Sequence, residues 1–326
     1  MSSKRRGPRI IAVGGGKGGV GKTTVAANLA LTIGRMGFRV AIIDADLGAA
    51  NLHTALNVLH PGHTLAEYID RRTDDLESLF IEITPSVRLV AGTSRPGSAN
   101  LLATEKLRLI RAIARIDSDV VIVDVGAGTS YTVVDLFAIA DHKLLVMCPQ
   151  LTSVHNAYAL LKACVHRVVR KHVVDDTQAH LIDAALGHES KARTVAQLLD
   201  VIRPLDAKVV EAITATLAGF GVALLGNQIT TPAEADALRR VAPLIRDHLG
   251  LDAPFIAAIK RSQSLAGSLK AGVGTIVSGR HDEASLAFHR VAEALLGVDA
   301  MARPAHKTVP LWIQRGLEAD AAAGRG

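Results

Sequence analysis

The chain has 326 residues, 49% of them hydrophobic and 21% charged, which excludes a disordered polymer and allows one sizeable core with a subdomain. Its net charge of +6 admits an anionic partner but equally describes a solvated basic face, and two distant cysteines, Cys148 and Cys164, exclude a disulfide framework or a thiolate metal site. With no apolar run long enough for a bilayer and no signal-peptide core behind the basic start Met1–Pro8, a soluble cytoplasmic protein is expected.

The first elements carry the most chemistry. Ile10–Val13 reads as a buried strand and Thr23–Met36 as a helix. Between them, Gly16-x-x-x-x-Gly21-Lys22-Thr23 fits the phosphate-binding loop at every fixed position. Backbone N–H groups can wrap an anion only where no Cβ intrudes, which accounts for Gly16, Gly18, Gly19 and Gly21. The helix start adds its dipole. Lys22 is expected to reach the β- and γ-phosphates of ATP and the Thr23 hydroxyl to ligate Mg²⁺, with Val20 and Thr24 completing the loop's nucleotide contacts. Lys17 is a second lysine in the loop, and a loop that cradles one nucleotide has no use for it.

Lys17–Thr23, KGGVGKT, resembles the deviant Walker A loop of the MinD/ParA family of ATPases. The resemblance implies that Lys17 crosses a dimer interface to the nucleotide held by a partner chain. It also implies a P-loop NTPase fold: an α/β, mainly parallel, doubly wound sheet.

Val40–Ile43 is the next buried strand, ending in Asp44-Ala-Asp46. Carboxylates at the carboxyl end of a buried strand lie where open α/β sheets bind ligands. Asp46 is similar to the family's switch aspartate, which orients the attacking water, and Asp44 is expected to support the Mg²⁺ shell. Asn51 and His53 continue a loop like the family's first switch, and His53 is given no catalytic role. Residues 54–86 read as short polar helices, Val87–Ala91 as a strand, and Gly92–Gly97 as a loop. Thr104–Ile116 has helical spacing, with Lys106, Arg108, Arg111 and Arg115 expected on a solvated face. Val120–Val123 followed by Asp124 describes a Walker B strand whose carboxylate holds Mg²⁺; Gly126 and Gly128 offer a hinge for a second switch.

Ser130–Ile139 reads as a helix and Leu144–Met147 as a strand. The segments DADLGAANLH, DVGAGTS and P-x-x-TS-x-x-x-AYALLK resemble the FlhG/FleN branch of the family, whose members govern flagellar number or placement; Asn156 stands where that branch usually has aspartate. Residues 163–221 read as a helical insertion, with helices at Thr194–Ile202 and Ala207–Leu217, either a partner site or a packing elaboration. Val222–Ile229 restores the strand pattern, and Asn227 at its tip matches the family's adenine-reading asparagine. Ala233–Leu249 is expected as one helix, Pro254–Ile259 as the last strand and Ser285–Leu296 as the closing helix. The basic residues from Arg239 to Lys270 describe either a nonspecific DNA surface or scattered solvated charges. The tail around Trp312 describes a docked segment or an anionic-membrane contact.

The expected organisation is a basic extension over 1–8, an ATPase domain over 9–297 and a tail over 298–326. The function expected is a Mg²⁺-dependent ATPase that forms a homodimer on ATP and engages a protein effector, DNA or an anionic membrane at the periphery of a membrane or nucleoid. A DNA-partition ATPase and a nucleotide-binding scaffold without turnover are the alternatives.

Overall fold

The computed structural model describes residues 7–95, 101–172, 194–262 and 283–297. The extension over 1–6, the middle of the insertion, Lys270 and the tail lie outside the described residues.

Eight strands form one sheet: β1 (Arg9–Gly14), β2 (Val40–Ala45), β3 (Ile81–Thr84), β4 (Val87–Val90), β5 (Val120–Val125), β6 (His142–Met147), β7 (Val222–Ile229) and β8 (Phe255–Lys260). Their spatial order is β3-β4-β2-β5-β1-β6-β7-β8, and every pair is parallel except β3 with β4. The central strands are buried on both faces, so they read as continuous apolar runs rather than alternating ones.

The described helices cover both faces. They are α1 (Lys22–Arg35), α2 (Leu52–Ala55), α3 (Leu65–Ile69), α4 (Ala103–Ile113), α5 (Tyr131–Ala138), α6 (Leu151–His172), α7 (Val195–Ile202), α8 (Ala207–Ala218), α9 (Pro232–Arg239), α10 (Val241–Leu249) and α11 (Glu283–Leu296). The pleat sorts β1: Ile11 and Val13 join the core beneath α1 and α11, whereas Ile10 and Ala12 join the core with α4 through α8. The doubly wound, mainly parallel fold is as expected.

The structure corrects three local readings. Residues 81–84 form β3, antiparallel at the sheet edge, in place of further short helix. The helix expected over 233–249 breaks at Arg240, because Pro243 has no N–H for the preceding turn and is accommodated only near a new helix start. Lys106 is buried, not solvated: its Nζ lies 2.7 Å from a carboxylate oxygen of the fully buried Asp135. Arg167 of α6 binds the same carboxylate in bidentate fashion, at 2.9 Å for each bond. The start of the expected insertion, residues 163–172, continues α6 without a break, and its C-terminal part, α7 and α8, packs its apolar faces into the main core through Leu198, Ile202, Val210 and Ile213, so the described part belongs to the same domain.

Candidate nucleotide site

Five strands deliver their carboxyl ends to one place. β1 sits between β5 and β6, the switch point where the chain runs one way to β2 and the other way to β6. The loop after β1 meets Asp44 and Asp46 from β2, Asp124 from β5, the β6–α6 connection, and Asn227 from β7. Register places Val13 beside Asp124, and Asp44 beside Asp124.

The loop's glycines have separate physical reasons. Gly21 takes φ +89 and passes the chain into α1, whose first residue, Lys22, is buried. Gly16 has ordinary backbone, but a Cβ there would fall 1.9 Å from the backbone carbonyl of Asn156, so the loop rests directly on α6. An added Cβ at Gly18 or Gly19 would meet nothing within 4 Å, which leaves open space above the loop for an anion. Lys17 is exposed, and its Nζ donates to Thr152 Oγ1 at 3.3 Å.

The three carboxylates differ. Asp44 is fully buried and already engaged: its oxygens accept from the backbone N–H of Leu52 at 3.0 Å and of Asp46 at 3.2 Å. It therefore organises the loop from β2 into α2. Burial raises its pKa to about 6, against these N–H groups, which lower it. A Cβ at Gly92 would lie 2.7 Å from Asp44 Cγ, so a residue read only as loop is a packing partner of the site. Asp46 is half-buried, with Oδ1 over Gly126, 2.9 Å from where a Cβ would stand.

Asp124 is the exceptional group. It is 1% exposed, and neither carboxylate oxygen has a hydrogen-bond partner among the described residues. Burial, then the charge of Asp44, pushes its pKa up to about 8, while the Thr23 hydroxyl and the Lys22 ammonium pull it down. A buried, partnerless carboxylate beside a hydroxyl fits a hard, oxygen-binding cation. Among the described residues no cluster of three or more His, Cys, Asp or Glu forms a cage for a metal. Mg²⁺ is a hard cation of that kind, and it takes one or two protein oxygens and completes its shell with phosphate and water.

Asn227 is buried, and its Nδ2 donates to the carbonyl of Val20 at 2.8 Å. Its neighbour Gln228, which the sequence did not single out, donates from Nε2 to the carbonyl of Gly19 at 3.0 Å. A separate cavity of about 450 Å³ between α3 and α4 is lined by Tyr68, Leu107, Arg108 and Arg115 and by no residue of the phosphate loop. Its Arg108 is occupied, stacked 4.3 Å over Tyr68 and paired with Asp74 at 2.9 Å.

Residues 11–275 match the CobQ/CobB/MinD/ParA nucleotide binding domain. The chain is 42% identical over 157 residues to the antiactivator FleN of Pseudomonas aeruginosa, covering 47% of this chain and 55% of that protein. It is 30% identical over 171 residues to the flagellum site-determining protein YlxH of Helicobacter pylori, covering 47% and 53% respectively. The chain thus spans about half the length of the curated relatives it matches. Its fold is similar to the septum site-determining protein MinD complexed with Mg-ADP from Pyrococcus horikoshii, with a TM-score of 0.60 at 20% identity over 90% of this chain and 97% of that one.

Proposed function

The chain belongs to the CobQ/CobB/MinD/ParA nucleotide-binding family, and from that premise we infer that it is an ATP-dependent switch: an ATPase that dimerises on ATP and, by cycling, sets the position or number of a cellular structure. The observation that carries this reading is the partnerless buried Asp124 carboxylate beside Thr23, directly under a complete phosphate loop. The similarity to FleN and YlxH favours a flagellar structure as the target.

Each residue has a distinct task. The loop N–H groups and Lys22 hold the phosphate charge, and Thr23 and Asp124 would hold Mg²⁺. When bound, that ion supplies positive charge to the phosphate oxygens as negative charge builds there. Asp46 orients the attacking water. Asp44 acts at one remove, by fixing the loop that carries Asp46. Lys17, exposed and, among the described residues, tethered to a neutral hydroxyl, is available to reach a second chain's nucleotide. Asn227 contacts the base.

The nonspecific DNA reading finds less support. Arg246 and Lys260 pair with Asp252 and Glu283 at 2.7 Å and 2.6 Å, Arg239 pairs with Asp236, and Lys270 lies outside the described residues. No described helix is long and apolar enough to cross a membrane.

Phosphate release tests the reading directly. The parent chain should turn over Mg·ATP slowly, and Asp46→Ala should fall to background while still binding nucleotide. Equal background rates for both would overturn the ATPase assignment and leave a nucleotide-binding scaffold.

A further inference from the structure

The carboxyl end of β7 does something a regular strand cannot. Successive side chains on a strand point to opposite faces. Yet Asn227 and Gln228 both reach the phosphate loop, donating to the consecutive carbonyls of Val20 and Gly19 at 2.8 Å and 3.0 Å. A register shift in the β7–β8 pairing between Gly226 and Ile229, together with a left-handed backbone at Gln228 (φ 59), makes this possible. For a non-glycine residue that conformation is unfavourable and persists only where the surroundings hold it. Bulges of this kind re-aim side chains beside active sites.

We propose that Asn227 and Gln228 form a two-amide clamp that orients the phosphate loop before nucleotide arrives, with Gln228 as a positioning residue for phosphate binding. In a trans peptide the C=O and the following N–H point in opposite directions. Drawing the carbonyls of Gly19 and Val20 toward β7 therefore turns the N–H groups of Val20 and Gly21 away from it. Those are two of the donors a phosphate-binding loop must present. The clamp also accounts for a loop position. A Cβ at Gly21 would stand 2.4 Å from Asn227 Nδ2, so the glycine that opens α1 is also the one the clamp presses against.

A second consequence concerns the base. One N–H of Asn227 is committed to Val20, leaving its other N–H and its Oδ1 for a purine edge. The residue that meets the base and the residues that meet the phosphates then form one hydrogen-bonded unit. This consequence, and the phosphate role, rest on the nucleotide-binding reading above; the clamp itself does not require nucleotide.

The test uses that distinction. Hydrogen exchange of the stretch 14–24 is measured first in the nucleotide-free full-length parent. It should be faster by about fivefold to tenfold in Gln228→Gly, which keeps the left-handed backbone and deletes the donor, since one hydrogen bond is worth about 1 kcal/mol. Gln228→Glu has reach but no donor at neutral pH and should behave the same way, whereas Gln228→Lys restores a donor and should protect the loop almost as well as the parent. Mg·ADP and Mg·ATP should bind Gln228→Gly about tenfold more weakly, with exchange elsewhere and the melting temperature little changed. Parent-like exchange in both Gln228→Gly and Gln228→Glu would overturn the clamp. Faster loop exchange with unaltered nucleotide affinity would overturn its role in phosphate binding. A folded parent that binds no more Mg·ATP than Lys22→Ala would overturn the nucleotide reading instead, a result the exchange data do not share.

Discussion

Lys17 Nζ donates to Thr152 Oγ1 at 3.3 Å, tying the phosphate loop to the first turn of α6. The contact is exposed and joins a cation to a neutral hydroxyl, so it is weak and easily exchanged for a phosphate. It leaves the ammonium exposed and held by a neutral group.

Lys17→Ala should therefore separate binding from assembly. Nucleotide affinity of the single chain should stay within about threefold of the parent, since an exposed hydrogen bond contributes at most about 0.5–1 kcal/mol. ATP-dependent dimerisation should be lost. Light scattering with Mg·ATP checks this, and a variant that dimerises as well as the parent would remove Lys17 from the interface.

Asp124→Asn should make the nucleotide-free protein more stable and less able to bind Mg·ATP. The native carboxyl holds its proton up to about pH 8, whereas the unfolded one releases it near 3.8. Between those values the native state binds more protons than the unfolded state, so folding stability falls as pH rises. Asparagine removes that slope. The variant should match the parent below about pH 4 and gain on it by up to about 1.4 kcal/mol per pH unit above that, reaching several kcal/mol near pH 8–9, read from chemical denaturation without Mg²⁺. A constant difference across that range would show that Asp124 is not protonated in the fold.

Much of this site was legible because its chemistry is local. The phosphate loop is one short contiguous run, Gly16–Thr24, and strands buried on both faces announce themselves as apolar runs whose tips carry the carboxylates. The short alternation Ile81-Glu82-Ile83-Thr84 is a strand signal too, but a half-exposed edge strand of four residues is weak beside its polar surroundings. Other features depend on partners distant in sequence. Nothing around Lys106 marks it as buried until α5 brings Asp135 beneath it. Gln228 looks like any strand-end amide until the register shift against β8 turns it toward Gly19. Asp44 reads as a metal carboxylate, and its engagement by Leu52 and Asp46 emerges only once the loop has folded back.

Asp135 should be one of the costliest side chains to remove. Lys106 at 2.7 Å, Arg167 at 2.9 Å and Lys171 at 3.9 Å converge on it, and their side chains are no more than 8% exposed. Burial opposes its charge most strongly, but the Arg167 hydrogen bonds and the lysine charges more than offset this and hold its pKa below the ordinary carboxylate value. Asp135→Asn leaves these buried cations without their shared counter-charge, a loss of about 3–5 kcal/mol. With the native pKa depressed, the parent's stabilisation from Asp135 is fully present above the ordinary value near 3.8 and is lost as pH falls through the lower native value. Urea melts at pH 7 and pH 3 should show a large gap between variant and parent that narrows in acid.

Gly16 and Gly18, which the loop pattern treats alike, differ in what surrounds them. Gly16→Ala drives a methyl to 1.9 Å from the Asn156 carbonyl group, and backbone inside a 22-residue helix cannot move aside cheaply. The loop must lift from α6, so the variant should lose about 2–3 kcal/mol of stability and nearly all nucleotide binding. Gly18→Ala meets nothing within 4 Å, so the nucleotide-free chain should melt within a degree or two of the parent. If phosphate occupies the open space above the loop, the cost of Gly18→Ala appears only on titration with Mg·ATP, as a loss of affinity of about tenfold or more. Calorimetric melting of both variants with and without Mg·ATP distinguishes a glycine needed for packing from one needed for the anion. Equal destabilisation of the two nucleotide-free variants would show that the contact with Asn156 does not set the position of the loop.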